Sequence, residues 1–337
     1  MTTQAPSVLT MGEPAGIGGE LTLKAWSGFR DRLSPFFTLD SPDRLRKIAT
    51  ANGWNINITE IGTPAEAAAV FADALPVLPL TADAQADAGI PSIQTAKAVL
   101  ESIERAVAYT SDGQANALIT NPIQKETLYD AGFGFPGHTE YLAELVGGGM
   151  RPVMMLASPS LRVVPLTVHL PLRDALDQLT TEAIIEQGRL VITALRQDFG
   201  IENPRLAVAG LNPHAGENGK LGREDKDIIA PAIQALATPG VELFGPVPPD
   251  ALFTPRARLR YDAALCMYHD QALIPIKALE FDNAVNVTLG LPIVRTSPDH
   301  GTALDIAGKG LADPSSLISA LKMASEISAS RLAYKAT

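Results

Sequence analysis

An α/β architecture in two domains is predicted by three features of this chain. Short apolar runs rich in β-branched residues alternate with longer amphipathic runs along its length. Polar and ionisable residues gather just beyond the apolar runs, as they do at the ligand-facing carboxyl ends of strands in open α/β sheets. The 337 residues are enough for one large or two ordinary domains.

Residues 264–313 carry these signals in concentrated form. Residues 263–267 and 284–289 each read as a buried strand, the second with Val285, Val287 and Thr288. Tyr268-His269-Asp270-Gln271 follows the first strand. Arg295-Thr296-Ser297 and Asp299-His300-Gly301-Thr302 follow the second. The two strands are expected to deliver chemistry to one crevice.

The elements follow in order. Residues 7–11 form a strand that runs into Gly12-Glu13-Pro14-Ala15-Gly16-Ile17-Gly18-Gly19-Glu20, then a helix over 21–26. Such a turn is either a backbone cradle for an anion or cofactor, or a tight turn that needs glycine. Its spacing is not the G-x-G-x-x-G dinucleotide fingerprint. Strand 36–39, helices 42–52, 66–74 and 96–109, and strand 117–120 come next. The last ends at Asn121-Pro122-Ile123-Gln124-Lys125. Gly134-Phe135-Pro136-Gly137-His138-Thr139-Glu140 precedes a helix over 141–146, with Thr139 placed to cap it. Strands 152–157 and 161–168 follow, the second ending at His169. Helix 180–199 stops at Gly200. Strand 206–211 ends at Asn212-Pro213-His214-Ala215-Gly216-Glu217, and helix 224–236 follows. A helix from 314 closes the chain. There is no internal repeat.

Composition narrows the function. A net charge of −10 and a pI near 5.0 argue against nucleic acid or an anionic membrane as partner. The one cysteine, Cys266, lies in an apolar run, so no internal disulfide is possible, as in a reducing compartment. We read it as a small buried hydrophobe. No signal peptide or membrane span is legible, so a soluble cytoplasmic protein is expected.

Three of the five histidines, His169, His214 and His269, sit just beyond apolar strands. Strand ends converge, and three imidazoles leave a metal with open positions, the catalytic arrangement. Nitrogen ligands suit zinc or another divalent transition metal. Lys277 and Arg295 lie in apolar surroundings and need anionic partners. These are either a substrate phosphate or carboxylate, or Glu280 and Asp299. Asp299-His300-Gly301-Thr302-Ala303-Leu304-Asp305-Ile306-Ala307-Gly308-Lys309-Gly310 reads as a loop wrapping a flat ligand.

At these residues a family resemblance becomes visible. Residues 299–313 resemble the cofactor loop of the isocitrate and isopropylmalate dehydrogenases, which bind NAD(P) without a Rossmann fingerprint. Gly12-Glu13-Pro14-Ala15-Gly16-Ile17-Gly18 is similar to the N-terminal motif of one branch of that superfamily, the 4-hydroxythreonine-4-phosphate dehydrogenases. Gly137-His138-Thr139-Glu140, Thr167-Val168-His169-Leu170-Pro171-Leu172, the run 210–217, Met267-Tyr268-His269-Asp270-Gln271 and the run 287–292 agree with the same branch. The match extends from about residue 8 to about residue 325. Gly19, where many members have proline, and Gln124 are minor departures.

The resemblance implies two α/β/α domains of the isocitrate/isopropylmalate dehydrogenase type around a cleft. The expected domains are 1–135 plus 285–337 on the cofactor side, and 136–284 for metal and dimerisation. It implies oxidation of 4-phosphooxy-L-threonine at C3 by NAD or NADP, with decarboxylation to 3-amino-2-oxopropyl phosphate, in pyridoxal phosphate synthesis. It assigns one divalent ion (zinc, cobalt or magnesium) to His169, His214 and His269, and substrate to His138, Thr139, Lys277, Asn286 and Arg295. We place the cofactor at Asp299, His300, Gly301, Thr302 and Asp305 with Gly12, Glu13 and Gly16. Asp250 is a possible further carboxylate near the metal. Lys125, Asp270 and a water on the metal are the candidate bases. A homodimer with a shared active site is implied. Two alternatives remain. One is a sister dehydrogenase for another phosphorylated hydroxy acid (threonate or erythronate 4-phosphate) or a dihydrodiol. The other is a metal-dependent phosphatase or acyltransferase without redox chemistry, against which the 299–310 loop argues.

Overall fold

The computed structural model describes residues 5–135 and 137–336. The first four residues of the N-terminal stretch, Pro136 in the run before His138, and Thr337 lie outside the described residues. The chain divides into two compact units, residues 1–152 with 291–328, and residues 153–290 with 329–337.

In chain order the first unit contributes β1 (Ser7–Thr10), β2 (Phe36–Asp40), β3 (Ile58–Glu60), β4 (Leu75–Pro79) and β5 (Leu118–Ile119). The second contributes β6 (Val153–Ala157), β7 (Arg162–Pro165), β8 (Arg205–Ala209), β9 (Glu242–Val247), β10 (Ala263–Cys266) and β11 (Val285–Leu289). The chain then returns to the first unit with β12 (Arg295–Pro298).

The first unit's strands lie in the order β3-β4-β2-β1-β5-β12, every pair parallel. Strands covered on both faces carry side chains that are apolar without alternation, and β1 and β2 are buried throughout. The helix Pro42–Ala51 starts where Ser41 Oγ accepts from the Arg44 N–H at 3.3 Å, with proline in its first turn. The helix Ala96–Ser111 buries Val99, Ile103, Ala106 and Val107, a 3.6-residue stripe that joins the core with Phe37, Leu39 and Leu118. Each of the larger of these fully buried side chains, alanine apart, contributes roughly 1.5–3 kcal/mol.

The second unit's strands lie in the order β11-β6-β7-β10-β8-β9. Only β6 runs against its neighbours; the other pairings are parallel. β7, β10 and β8 therefore share a direction, and their carboxyl ends leave along one edge. The helix Thr181–Gln197 is capped by Thr180 Oγ1, which accepts from the Ala183 N–H at 3.1 Å. A core of Leu156, Val163, Ala207, Ala264, Cys266 and Ile276 fills this unit. No helix among the described residues is long and apolar enough to cross a membrane.

Several elements differ from the sequence reading. The helix expected over 66–74 shrinks to Ala67–Val70. Gly137, not Thr139, is the N-cap of the helix His138–Leu145, and Thr139 lies in its first turn. Arg295-Thr296-Ser297 is not a strand end but β12 itself, because burial in a parallel sheet tolerates polar side chains that find partners within it. The helix His269–Glu280 is absent from the sequence reading. Pro275 interrupts its pattern, yet it packs Ala272, Leu273 and Ile276 into the core.

Candidate active site

The parallel strands β7, β10 and β8 each run on to a histidine. His169, beyond β7, is held in the left-handed region at φ 53°. His269 opens its helix, and its Nδ1 lies 2.7 Å from Asp270 Oδ1. With the Nδ1–H donated to that carboxylate, the His269 Nε2 lone pair is left for a ligand. The two rings are 6.0 Å apart, centroid to centroid. They line one cavity of about 250 Å³ with Thr167, Tyr268 and Asp270. Thr167 Oγ1 donates to the Met267 carbonyl at 3.0 Å. Gln271 Oε1 accepts from the Met267 N–H at 2.6 Å, and its Nε2 donates to the Gly210 carbonyl at 2.7 Å. Those bonds tie the ends of β7, β10 and β8 to one another.

His214 lies apart from this pair. Its side chain is 74% exposed, and it does not line the cavity. It stands on a loop, 214–218, in which every residue has positive φ. Buried Asp225 holds the base of that loop, accepting from the N–H groups of Leu211 at 2.8 Å and Asn212 at 3.1 Å and from Asn212 Nδ2 at 2.8 Å. Asp250 is exposed on the short helix Pro249–Leu252 and also lies outside the cavity lining. Among the described residues no three His, Cys, Asp or Glu side chains gather closely enough to hold a metal ion. The donors fit a divalent transition metal in kind, two imidazoles of which one is oriented by a carboxylate. This chain by itself brings only two together.

Strain marks the same places. The described non-glycine residues with positive φ are His169, His214, Ala215, Glu217, Asn218 and Ala303. Each such backbone costs of order 1–3 kcal/mol and persists where packing and hydrogen bonds enforce it. Five of the six fall on segments singled out as site candidates, and Asn218 directly follows one of them. Lys277, on the helix His269–Glu280, has its Nζ 6.0 Å from the Phe281 ring centroid. Asn286, on β11 opposite Leu156, is half-buried. Neither lines the histidine cavity.

The first unit gathers cations. Arg295, buried at the start of β12, donates through Nε at 3.2 Å and Nη2 at 2.7 Å to Thr120 Oγ1. Burial lowers its pKa to about 10, against the opposing pull of Glu140, so it remains charged at neutral pH. His138 Nε2 is shut off from solvent without a hydrogen-bond partner. Burial, then Arg295 and Lys125, hold this imidazole well below its ordinary pKa and therefore neutral. Lys125 is exposed at the start of the helix Lys125–Asp130, and its Nζ lies 3.4 Å from where a Cβ on Gly137 would stand. A guanidinium, an ammonium and an orphan imidazole nitrogen in one neighbourhood fit an anionic group.

The two segments expected at the cofactor meet within this unit. Ile17 N–H donates to the Thr302 carbonyl at 3.1 Å. A Cβ on Gly16 would stand 2.8 Å from that same oxygen. Gly12 has φ 74°, and a Cβ there would meet Asn121 Cβ at 2.6 Å. Residues 11–20 are buried. These glycines thus permit close backbone approach, and the turn supports the neighbouring loop rather than offering an open cradle. Glu13 lies inside it, with Oε1 accepting from the Ala15 N–H at 3.1 Å. Burial raises its pKa despite that bond and Arg44. The open side is the loop itself: Gly301 and Asp305 are exposed, and Asp299, His300 and Thr302 are half-buried. His300 Nδ1 is 2.9 Å from the Gly301 carbonyl, and its shielded Nε2 has no partner. An orphan imidazole nitrogen beside exposed backbone fits a flat heteroaromatic ligand.

The family model for the pyridoxal phosphate biosynthetic protein PdxA matches residues 32–324. The chain belongs to the PdxA family. A 4-hydroxythreonine-4-phosphate dehydrogenase of Bradyrhizobium diazoefficiens is 52% identical over 338 residues, covering 97% of this chain and 98% of that protein. The solved 4-hydroxythreonine-4-phosphate dehydrogenase of Klebsiella pneumoniae is 37% identical, with TM-score 0.85 over 96% of this chain and 99% of that one. A terephthalate 1,2-cis-dihydrodiol dehydrogenase of Burkholderia xenovorans LB400 is 26% identical, with TM-score 0.65 over 96% and 98%. The expected α/β fold is that of these solved structures.

Three supporting residues of this PdxA-family chain escape sequence reasoning: Thr120, Asp225 and Gln271. Gln271 lies in the Met267–Gln271 motif, which was the one available signal. Asp225 opens an ordinary helical run, and only its contacts reveal it.

Proposed function

We propose that this chain is a divalent-metal-dependent, NAD(P)-dependent dehydrogenase. It oxidises 4-phosphooxy-L-threonine at C3, and the keto acid loses carbon dioxide to give 3-amino-2-oxopropyl phosphate on the way to pyridoxal phosphate. The observation that carries the reading is the His169–His269 pair, 6.0 Å apart, with His269 bonded to Asp270. His169, His214 and His269 would hold the metal. A second copy of the chain supports a complete set, because His214 stands exposed outside the cavity of the other two. Asp250, also exposed, would supply a further carboxylate to the metal's surroundings. When bound, the metal supplies a Lewis acid at the hydroxyl under oxidation, and the nicotinamide supplies the hydride acceptor.

The chain's own residues do the rest. Arg295 presents a charged fork, His138 an orphan nitrogen and Lys125 an ammonium to the substrate phosphate, offsetting the repulsion of a chain with net charge −10. Thr139, Lys277 and Asn286 complete the substrate contacts. Asp299, His300, Gly301, Thr302 and Asp305 hold the cofactor, with Gly12, Glu13 and Gly16 bracing that loop from behind. Asp270 holds the His269 proton at Nδ1, and Lys125 could take up the hydroxyl proton only after giving up its own. The protein works in the cytoplasm as a homodimer.

A dihydrodiol dehydrogenase is the second reading, favoured by the likeness to the terephthalate dihydrodiol enzyme. Such a substrate carries no phosphate for the buried Arg295. Cofactor reduction with 4-phosphooxy-L-threonine, 4-phosphothreonate, 4-phosphoerythronate and a cis-dihydrodiol decides between them. Highest kcat/KM for the first supports the proposal; highest kcat/KM for any other overturns it.

A further inference from the structure

The strands that carry the candidate site histidines at their carboxyl ends carry arginines at their amino ends. Arg162 opens β7 and Arg205 opens β8, while Tyr261 and Asp262 lead into β10. Together with Arg258 and Ser160 they line a cavity of about 330 Å³. Because β7, β10 and β8 are parallel, this cavity lies on the edge of the sheet opposite to His169 and His269. It is distinct from the candidate active site.

The lining holds more cations than carboxylates, with Glu242 of β9 acting on Arg205 from outside it. Asp262 is the one carboxylate of the lining, and Arg205 occupies both of its oxygens. Nη2 donates to Oδ1 at 2.7 Å, Nε to Oδ2 at 3.3 Å, and the Arg205 backbone N–H to Oδ2 at 2.8 Å. Arg162 Nη1 donates to the Asp262 carbonyl at 3.2 Å, and its guanidinium lies 4.6 Å from the Phe199 ring centroid. Arg258 has no carboxylate partner among the described residues. Its Nη1 reaches the Ser160 carbonyl at 3.4 Å, and its Nε is shut off from solvent with no acceptor. A guanidinium in a cavity wall without a carboxylate partner is held at a cost that an anion bound in the cavity would offset. Arg256 and Arg260 flank the same segment, so positive charge is concentrated here in a protein of net charge −10.

We propose that this cavity is a second, non-catalytic anion site, built for the phosphate group of a small phosphomonoester and centred on Arg258. Planar guanidinium forks match a tetrahedral oxyanion better than ammonium groups do. The volume exceeds that of phosphate alone and falls in the range of small-molecule pockets, so it leaves room for an organic remainder.

Isothermal titration of the full chain with inorganic phosphate tests this, in an Arg295→Ala background that removes the guanidinium from the candidate substrate-phosphate contacts. Arg295→Ala is expected to retain one saturable phosphate site. Adding Arg258→Ala is expected to weaken that site at least tenfold, and adding Arg258→Lys to weaken it less. Acetate at matched ionic strength is expected not to compete. The Lys variant keeps the test usable if the Ala variant folds poorly by circular dichroism. Three results would each overturn the proposal: no phosphate site in Arg295→Ala, equal affinity with and without Arg258, or acetate displacing phosphate at equal concentration.

Discussion

His269 Nδ1 and Asp270 Oδ1 are 2.7 Å apart, two neighbouring residues at the first turn of one helix. The carboxylate fixes which imidazole nitrogen carries the proton, and so which one is free to bind metal. Asp270→Asn can hold the ring in place, but without the charge that raises ligand basicity. Metal affinity, measured by competition with a chromophoric chelator, is expected to fall about 10–100-fold with unchanged circular dichroism. Unchanged affinity would remove Asp270 from the account.

Asp225 accepts three bonds from Leu211 and Asn212, at the base of the loop bearing His214. In Asp225→Ala those donors lose their acceptor in a buried place. Urea unfolding is expected to show a loss of about 1–3 kcal/mol. Asp225→Asn, which keeps an acceptor oxygen, should recover part of it.

His138 is kept neutral in the folded chain, whereas the unfolded chain takes up a proton near the ordinary histidine pKa of about 6.5. The unfolded state therefore binds more protons below that pH, and stability falls as pH drops from about 7 toward 5. The slope from this group is at most about 1.4 kcal/mol per pH unit. His138→Asn should flatten the dependence of the urea midpoint on pH in that window. An unaltered slope would show that His138 is not held neutral.

A methyl group on Gly16 would stand 2.8 Å from the Thr302 carbonyl oxygen. That oxygen is backbone and already accepts the Ile17 N–H, so it cannot swing away. Gly16→Ala is expected to cost about 1–3 kcal/mol and to weaken NAD(P) binding, read by fluorescence titration. Intact cofactor affinity would separate the turn from the loop it braces.

Much of this is legible in the sequence because strand ends are. Val285, Val287 and Thr288 announce β11, and the apolar run before Tyr268 announces β10, so His269 is found by its position alone. Arg295 lies far along the chain from Lys125 and His138, and their shared neighbourhood follows from tertiary packing that no local pattern encodes. β12 is hidden for a related reason: Arg295, Thr296 and Ser297 read as the polar end of the strand before them, yet Thr120 accepts from Arg295 and the Ala320 carbonyl from Thr296 inside the core. Asp225 is invisible because its role consists wholly of bonds to residues 211 and 212. Pro275 masks the helix His269–Glu280, whose stability comes from the core side chains on either side of it.

The most direct test is cofactor reduction by 4-phosphooxy-L-threonine, followed before and after treatment with a chelator and again after adding back zinc, cobalt or magnesium. The account predicts reduced nicotinamide that stops forming on chelation, returns with metal, and never forms in His169→Ala or His269→Ala. Release of inorganic phosphate without reduction, or reduction indifferent to the chelator, would contradict it.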